Sequence, residues 1–320
     1  ETKASCKILQ SREDFLCRVA DVFYCRVNKT EVKSMNLQGL QRHITNLNQW
    51  NKDNFKGFFF ASQRIGYLKQ PVWSVLSELS GEFETSADGI HLKDAFDSFE
   101  SRTQVLGEVV DVLLSRGVMT HRHGEKYPVT HQGRERSIAT IDRAAAPYFG
   151  LQAYGQHVNG YVRREGDLYL WIARRSADRV NFPNLLDNMV AGGLPYDLSL
   201  QENLRKECME EASIPAELAD QAVPVGALTY CRETPTGLKP DTLYCYDLEL
   251  PPDFRPCNSD GEVAEFKLVP VQEVVEVVAE TDEFKPNCNL VVIDFLIRHG
   301  IVDPESPGYL DLVLGLHRKF

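Results

Sequence analysis

The stretch that decides the fold reads Gly192-Gly193-Leu194-Pro195-Tyr196-Asp197-Leu198-Ser199-Leu200-Gln201-Glu202-Asn203-Leu204-Arg205-Lys206-Glu207-Cys208-Met209-Glu210-Glu211-Ala212-Ser213-Ile214. Ser199 and Glu202 have the spacing of a capping box, so a helix is predicted to start there. Leu200, Leu204, Cys208 and Ala212 then recur as one apolar sector of that helix. Glu207, Glu210 and Glu211 fall in the adjoining sector at i, i+3 and i, i+4 spacing, so their carboxylates cluster. Crowded at the rim of a core, they repel one another and lose solvation. A hard divalent cation relieves both effects, and oxygen ligands suit Mg²⁺, with Mn²⁺ able to substitute. A solvated acidic helix face carries the same spacing. The preceding Gly192 and Gly193, expected as a turn closing a short strand, tip the reading towards a metal, because a capped helix after such a turn adjoins phosphate.

Composition narrows the rest. The chain has 320 residues, 43% hydrophobic and 25% charged, which suits a globular protein of about two domains. Its formal net charge of −11 argues against nucleic acid or an anionic membrane as general partners. No apolar run approaches the ~20 residues of a membrane span; Leu290 to Ile297 is interrupted by Asp294. Eight Cys without a C-x-x-C pair read as free thiols in a reducing compartment. There is no basic-then-apolar leader. The expected location is therefore the cytoplasm, with a plastid or other organelle left open because the sequence starts without Met. Oligomeric state is left open too.

Along the chain, Asp14 to Val22, Trp73 to Leu79 and Thr103 to Arg116 have helical spacing, the last stopped by Gly117. Phe58 to Leu68 reads as a hairpin around Ser62-Gln63-Arg64. Glu125 to Arg136 is polar, with Pro128 and Gly133. The domain boundary is placed near Gly150, giving units 1–150 and 151–320. In the second, Gln156 to Arg163 and Asp167 to Ala173 flank a turn at Arg164-Glu165-Gly166. Further strands are expected at Val190 to Gly193, Val225 to Cys231, Thr242 to Leu250 and Val263 to Val269. Helices are expected at Val271 to Glu280, Leu290 to His299 and Tyr309 to Leu316. The predicted class is α/β.

The opening stretch resembles the Nudix signature, G-x5-E-x7-R-E-U-x-E-E-x-G-U with U aliphatic. Gly192, Glu207, Glu210, Glu211 and Ile214 match; Lys206 stands for the Arg, Leu198 (or Asp197, with a one-residue deletion) for the early Glu, and Ser213 for the late Gly. Leu170 to Ser176, Leu186 to Gly193, Asp260 to Phe266 and Phe284-Lys-Pro-Asn-Cys288 are similar to one subgroup, the thiamine-pyrophosphokinase-related Nudix proteins. Phe58 to Leu68, Glu125-Lys-Tyr-Pro-Val129 and Ile141-Asp-Arg-Ala-Ala-Ala-Pro147 match its N-terminal domain. The resemblance implies an N-terminal mixed α/β domain followed by a Nudix α/β/α sandwich. It also implies Mg²⁺ held by Glu207, Glu210 and Glu211, and hydrolysis of a small-molecule diphosphate, with oxidised thiamine diphosphates expected to give monophosphates. The alternatives are another nucleoside-diphosphate-linked substrate, or a non-catalytic module that binds a diphosphate. Isopentenyl-diphosphate isomerase shares the fold but needs a catalytic Cys near its loops, and none stands beside Gly192-Gly193 here.

Other residues join the candidate site. Arg174, Arg175 and Arg179 suit phosphate oxygens, or form a solvated basic loop. With Lys206, Asn188, Gly192 and Gly193, Arg174 and Arg175 are the expected substrate contacts, although Asp187 and Asn188 also read as turn residues. Glu262 or Glu265 is the expected late ligand or general base, with Glu262 preferred because a loop is easier to aim. Trp171, Tyr230, Tyr244 and Phe254 read as core. His121, His123 and Glu125 lack a fourth ligand for a metal cluster, and Cys208 reads as structural.

Overall fold

The structure is a computed structural model describing residues 35–259 and 261–319. The helix expected at Asp14 to Val22, the thiols Cys6, Cys17 and Cys25, and Asp260 lie outside the described residues. The first described element, α1 (Leu37–Asn46), is capped by Asn36, whose side chain accepts from the Gly39 N–H.

A four-stranded sheet in the order β2-β1-β4-β3 comprises β1 (Phe55–Phe60), β2 (Gln63–Lys69), β3 (Phe83–Thr85) and β4 (Gly89–Leu92). The β1–β2 hairpin turns through Ala61 and Ser62, both at positive φ, the backbone of a tight turn whose twist suits antiparallel strands. Helices α2 (Val72–Glu78) and α3 (Phe99–Ser115) cover this sheet. On α3 the expected stripe is buried at Val105, Leu106, Val109 and Leu113, and the helix stops before Gly117 at φ +67. The stretch read as merely polar instead holds β5 (Lys126–Val129), paired with β6 (Ala139–Asp142). Tyr127 and Val129 carry that pairing into the core.

The larger sheet runs β11-β12-β7-β8-β13, with β10 on β7 and β9 on β8. Its strands are β7 (Ala153–Arg164), β8 (Asp167–Arg175), β9 (Leu186–Asp187), β10 (Val190–Gly193), β11 (Val223–Glu233), β12 (Leu238–Glu249) and β13 (Val263–Pro270). Side chains alternate between its faces. Val158, Val162, Trp171 and Tyr246 pack on one face with α4 (Leu200–Ala212) and the short α5 (Ala216–Ala219). Leu170, Ile172, Leu243 and Cys245 pack on the other with α6 (Val271–Glu280), α7 (Pro286–Arg298) and α8 (Tyr309–Gly315). This is a mixed α/β protein whose larger sheet lies between helical layers.

The cut near Gly150 divides the cores unevenly. Residues 58–151 contribute to a core of their own, but α1 packs with α6, α7 and α8. Leu40 and Ile44 are fully buried there, and the His43 ring nitrogen Nε2 lies 2.7 Å from the Val278 carbonyl. Replacing Ile44 with Ala should therefore destabilise the C-terminal core, by about 2–5 kcal/mol for a buried aliphatic truncation. Urea unfolding followed by near-UV signals of the larger sheet measures it; a loss below about 1 kcal/mol, the scale of a partly exposed site, would contradict this packing.

Candidate active site

Helix α4 begins as its sequence dictates. The Ser199 hydroxyl accepts from the Glu202 N–H at 3.2 Å, and the Glu202 carboxylate accepts from the Ser199 N–H at 2.9 Å. It ends at Ser213, at φ +51, the left-handed conformation that a glycine adopts at least cost. The Ser213 hydroxyl offsets this by donating to the Cys257 carbonyl at 2.7 Å. Leu204, Cys208 and Ala212 bury the apolar sector.

The three carboxylates differ. Glu211 is 7% exposed, and its Oε2 accepts from the Ala191 N–H at 2.8 Å. Burial, then the nearby charges of Asp187 and Glu207, push it well above the usual carboxylate range, against the Ala191 hydrogen bond. Glu207 is also raised by burial, against the pull of Lys206. Glu210 is half-exposed. Lys206 lies between the last two, its Nζ 3.2 Å from Glu207 and 3.1 Å from Glu210.

Gly192 and Gly193 form no turn. Both lie in β10, opposite Gln156 and Gly155, and what they supply is room. A Cβ on Gly192 would sit 2.2 Å from the Glu207 carboxyl carbon. A Cβ on Gly193 would sit 2.3 Å from the Tyr127 hydroxyl oxygen and 2.8 Å from the Arg143 guanidinium carbon.

The loop from β10 to α4 is gripped from outside. Arg134 donates through Nη2 to the carbonyls of Pro195 at 2.8 Å and Leu198 at 2.7 Å. The Tyr196 N–H donates to the Lys126 carbonyl at 2.8 Å. From the helix, buried Asn203 donates to Gln156 Oε1 at 2.8 Å and to the Gly193 carbonyl at 3.0 Å. These residues brace the loop at the point where Leu198 and Lys206 depart from the signature. Arg134, Arg143, Tyr127 and Asn203 were not singled out by spacing, because three of them lie more than 40 residues upstream of α4 and the fourth falls outside the apolar sector of that helix.

Two expected substrate contacts are corrected. Asn188 is buried with both amide atoms engaged: Oδ1 lies 2.8 Å from His157 Nδ1, and Nδ2 donates to Asn159 at 3.2 Å. Arg175 is buried and paired with Asp187 at 3.0 Å. Arg174 remains partly exposed, paired with Glu265 at 3.0 Å. Glu262 pairs with Arg179 at 2.8 Å. Its loop reaches α4 through Ser259, whose hydroxyl donates to the Glu210 carbonyl at 2.7 Å. His123 lies 3.7 Å from Glu125 near the surface. Cys208 is fully buried and its thiol is pushed up to about 12 by burial, which suits a structural role.

Residues 37–153 match a family model described as a domain of unknown function (DUF4743), and residues 153–288 match the NUDIX domain. Nudix hydrolase 24, chloroplastic, from Arabidopsis thaliana is 46% identical over 81% of this chain and 71% of its own length. Nudix hydrolase 20, chloroplastic, from the same plant is 41% identical over 91% of the chain and 81% of its own length. The uncharacterized Saccharomyces cerevisiae protein YJR142W is 33% identical over 84% of the chain and 86% of its length. The chain belongs to the Nudix hydrolase family. Its reaction class is hydrolysis at a diphosphate bond. Both plant relatives are named as chloroplastic, which corrects the cytoplasmic expectation: net charge and thiol spacing do not separate one reducing compartment from another. No helix among the described residues is long and apolar enough to cross a membrane.

One further cluster in this Nudix hydrolase has metal-ligand composition. His157, Asp187 and Cys288 offer ligand atoms within 4.8 Å of one another. The charges around them argue against a cation. Asp187 already pairs with Arg175 and, at 3.1 Å, with Lys285, and it accepts from the Cys288 thiol at 2.7 Å. Burial works to raise Asp187, but Lys285 and the groups around it hold it below the usual range. Two cations on one carboxylate repel a third.

The hydrogen-bond chain assigns the imidazole. Asp247 only accepts, so Asn159 Nδ2 donates to it at 3.1 Å; Asn159 then accepts from Asn188, and Asn188 from His157 Nδ1. His157 Nε2 is left as an acceptor towards Asn287 Nδ2 at 3.4 Å. Burial first, and Lys285 next, push His157 down to about 4 from its ordinary 6.5. Because the folded value is the lower one, the neutral ring stabilises the fold above 6.5, and that contribution is lost as pH falls towards 4. The difference in stability between the protein and a His157→Gln variant should therefore shrink steadily from pH 6.5 to 4.5. Denaturant midpoints across that window measure it, and parallel curves would refute the neutral imidazole.

Proposed function

We propose that Glu207, Glu210 and Glu211 hold Mg²⁺ and that this Nudix hydrolase converts oxidised thiamine diphosphates to monophosphates in the plastid. The observation that carries the metal reading is the position of Lys206. Its ammonium stands between Glu207 and Glu210, where a cation relieves crowded carboxylates, while buried Glu211 has a single backbone donor. An all-carboxylate donor set fits a hard divalent ion. Mn²⁺ should serve in its place. The substrate reading rests on the resemblance of the whole chain to the thiamine-pyrophosphokinase-related group, and the plastid on the names of its Arabidopsis relatives.

Bound there, Mg²⁺ would supply positive charge against the diphosphate and an acidified water. The protein's own contributions follow from placement. Glu207, Glu210 and Glu211 would be the metal's carboxylate ligands. Lys206, which lies between Glu207 and Glu210, would then be available to a phosphate oxygen. The loop bearing Glu262 is attached to the last turn of α4, and Glu262 takes the proton of the attacking water while Arg179 orients its carboxylate. Arg174, partly exposed and paired with Glu265, is the guanidinium placed for the leaving phosphate.

Glu210→Gln and Glu211→Gln should each lower kcat at least about a hundredfold, the scale of losing one preorganised electrostatic group. Both should fold, since the change is isosteric. Millimolar Mg²⁺ should raise the melting temperature of the protein but not of Glu211→Gln, because binding to the folded state stabilises by mass action. Equal Mg²⁺ shifts in both would remove Glu211 from the metal site.

Substrate choice is read by competition. Oxidised thiamine diphosphate should show the higher kcat/KM against thiamine diphosphate. The protein's net charge of −11 favours the cationic thiazolium only through long-range attraction, which is screened beyond about 8 Å and acts on association, not on pocket fit. Much faster turnover of a nucleoside-diphosphate-linked compound would overturn the thiamine reading and leave the diphosphatase intact.

A further inference from the structure

The geometry points to Arg143, supplied by the DUF4743 half of the chain, as a phosphate-binding residue of the Nudix site, held there by Glu125 and Tyr127. The inference rests on the diphosphatase reading above. Its starting point is the pair of segments Glu125 to Val129 and Ile141 to Pro147, which lie outside the Nudix stretch yet meet at its glycines.

The hairpin of β5 and β6 is rigid around Arg143. The Arg143 N–H donates to the Glu125 carbonyl at 2.9 Å. The neighbouring Asp142 carboxylate accepts from the N–H groups of His123, Gly124 and Ala144 at 3.0, 3.0 and 2.9 Å. The guanidinium lies 5.4 Å from the Tyr127 ring centre, and its Nη1 pairs with Glu125 at 2.7 Å. The remaining edge of the fork, Nη2, faces Gly193 and comes within 2.8 Å of where a Cβ would stand. One residue back on the same strand, Gly192 receives the Glu207 carboxyl.

Arg143 and the Glu207 carboxylate thus flank β10 at neighbouring positions on its two sides, and the charge of Arg143, like that of Lys206, works against the burial that raises Glu207. Arg143 is one-third exposed, so a ligand can reach it. A guanidinium with one nitrogen committed to a carboxylate still presents donors in a fixed fork, the geometry that suits phosphate oxygens. With a metal held by the α4 carboxylates, the positive charge of Arg143 would be available to a phosphate oxygen of the substrate. Gly193 is the residue that permits this approach: any side chain there would displace Tyr127 and Arg143.

The competing role is that of a strut, in which Arg143 merely ties the hairpin together through Glu125. The two roles separate by experiment. The full-length protein is titrated calorimetrically with imidodiphosphate, a non-hydrolysable diphosphate, in the presence of Mg²⁺, and the Mg²⁺ melting shift is recorded alone. Arg143→Gln should weaken imidodiphosphate at least about tenfold, the worth of one charge-assisted hydrogen bond. It should leave the Mg²⁺ shift unchanged, and Arg143→Lys should recover part of the loss. Glu125→Gln, which loosens the guanidinium but keeps its charge, should cost clearly less than Arg143→Gln. In turnover, Arg143→Gln should raise KM more than it lowers kcat. Unchanged binding in Arg143→Gln, or equal losses in Arg143→Gln and Glu125→Gln, would overturn the inference and leave the metal reading standing. Absence of both the Mg²⁺ shift and imidodiphosphate binding in the unaltered protein would overturn the two together.

Discussion

A carboxylate at 7% exposure held by one backbone N–H is the constraint on which this site depends. Glu211 sits where α4 meets β10, with Glu207 beside it. Moving a carboxylate out of water is costly unless a positive charge or donors compensate. One amide does not suffice, and the raised proton affinity of Glu211 records the shortfall. Lys206 meets part of the demand for Glu207 and Glu210. The remaining demand is concentrated at one face of α4, where Glu211 has the Ala191 N–H as its donor.

The same crowding explains the glycines. A pair of glycines before a helix suggests a left-handed turn or an anion cradle. In the structure both residues are extended strand, and they are glycine because Glu207 presses on one side while Tyr127 and Arg143 press on the other. Any side chain at Gly192 would push the Glu207 carboxyl outward. The packing that buries Glu207 is therefore the packing that brings the two halves of the chain together, and Arg134 completes it by holding the Pro195 and Leu198 carbonyls.

How much was legible follows from the range of each interaction. Helix α4, its cap and the carboxylate cluster were readable because capping and i, i+4 spacing are local. So were the hairpins, and α6 agrees with its expected ends at Val271 and Glu280. Strands β5 and β6 were not, since four-residue strands interrupted by Lys126 and Pro128 leave no period to detect. Nor was the attachment of α1 to the C-terminal helices, which joins His43 to Val278 across most of the chain. At the site, the carboxylates were visible and the braces were not. Arg134 and Arg143 act on residues 50 to 64 positions away, and nothing in a lone arginine reports its partner. Asn188 and Arg175 failed in the opposite sense. Their types suited phosphate, but burial had already committed them to Asn159, His157 and Asp187.

That buried group on the α7 side has its own bearing on the metal helix. Arg175 and Lys285 place two positive charges against the single Asp187 carboxylate. The Cys288 thiol keeps its proton, because burial and then Asp187 raise it, so it adds no negative charge. His157 is neutral. Of these groups Asp187 acts on Glu211 more strongly and adds to the burial that raises it, and Lys285 offsets part of that effect. A surplus cation inside a core is unfavourable by itself. Here Lys285 is offset by the Asp187 carboxylate it pairs with at 3.1 Å. The motif around Lys285 and Cys288 is thus committed to its own buried hydrogen-bond and ion-pair network, centred on Asp187.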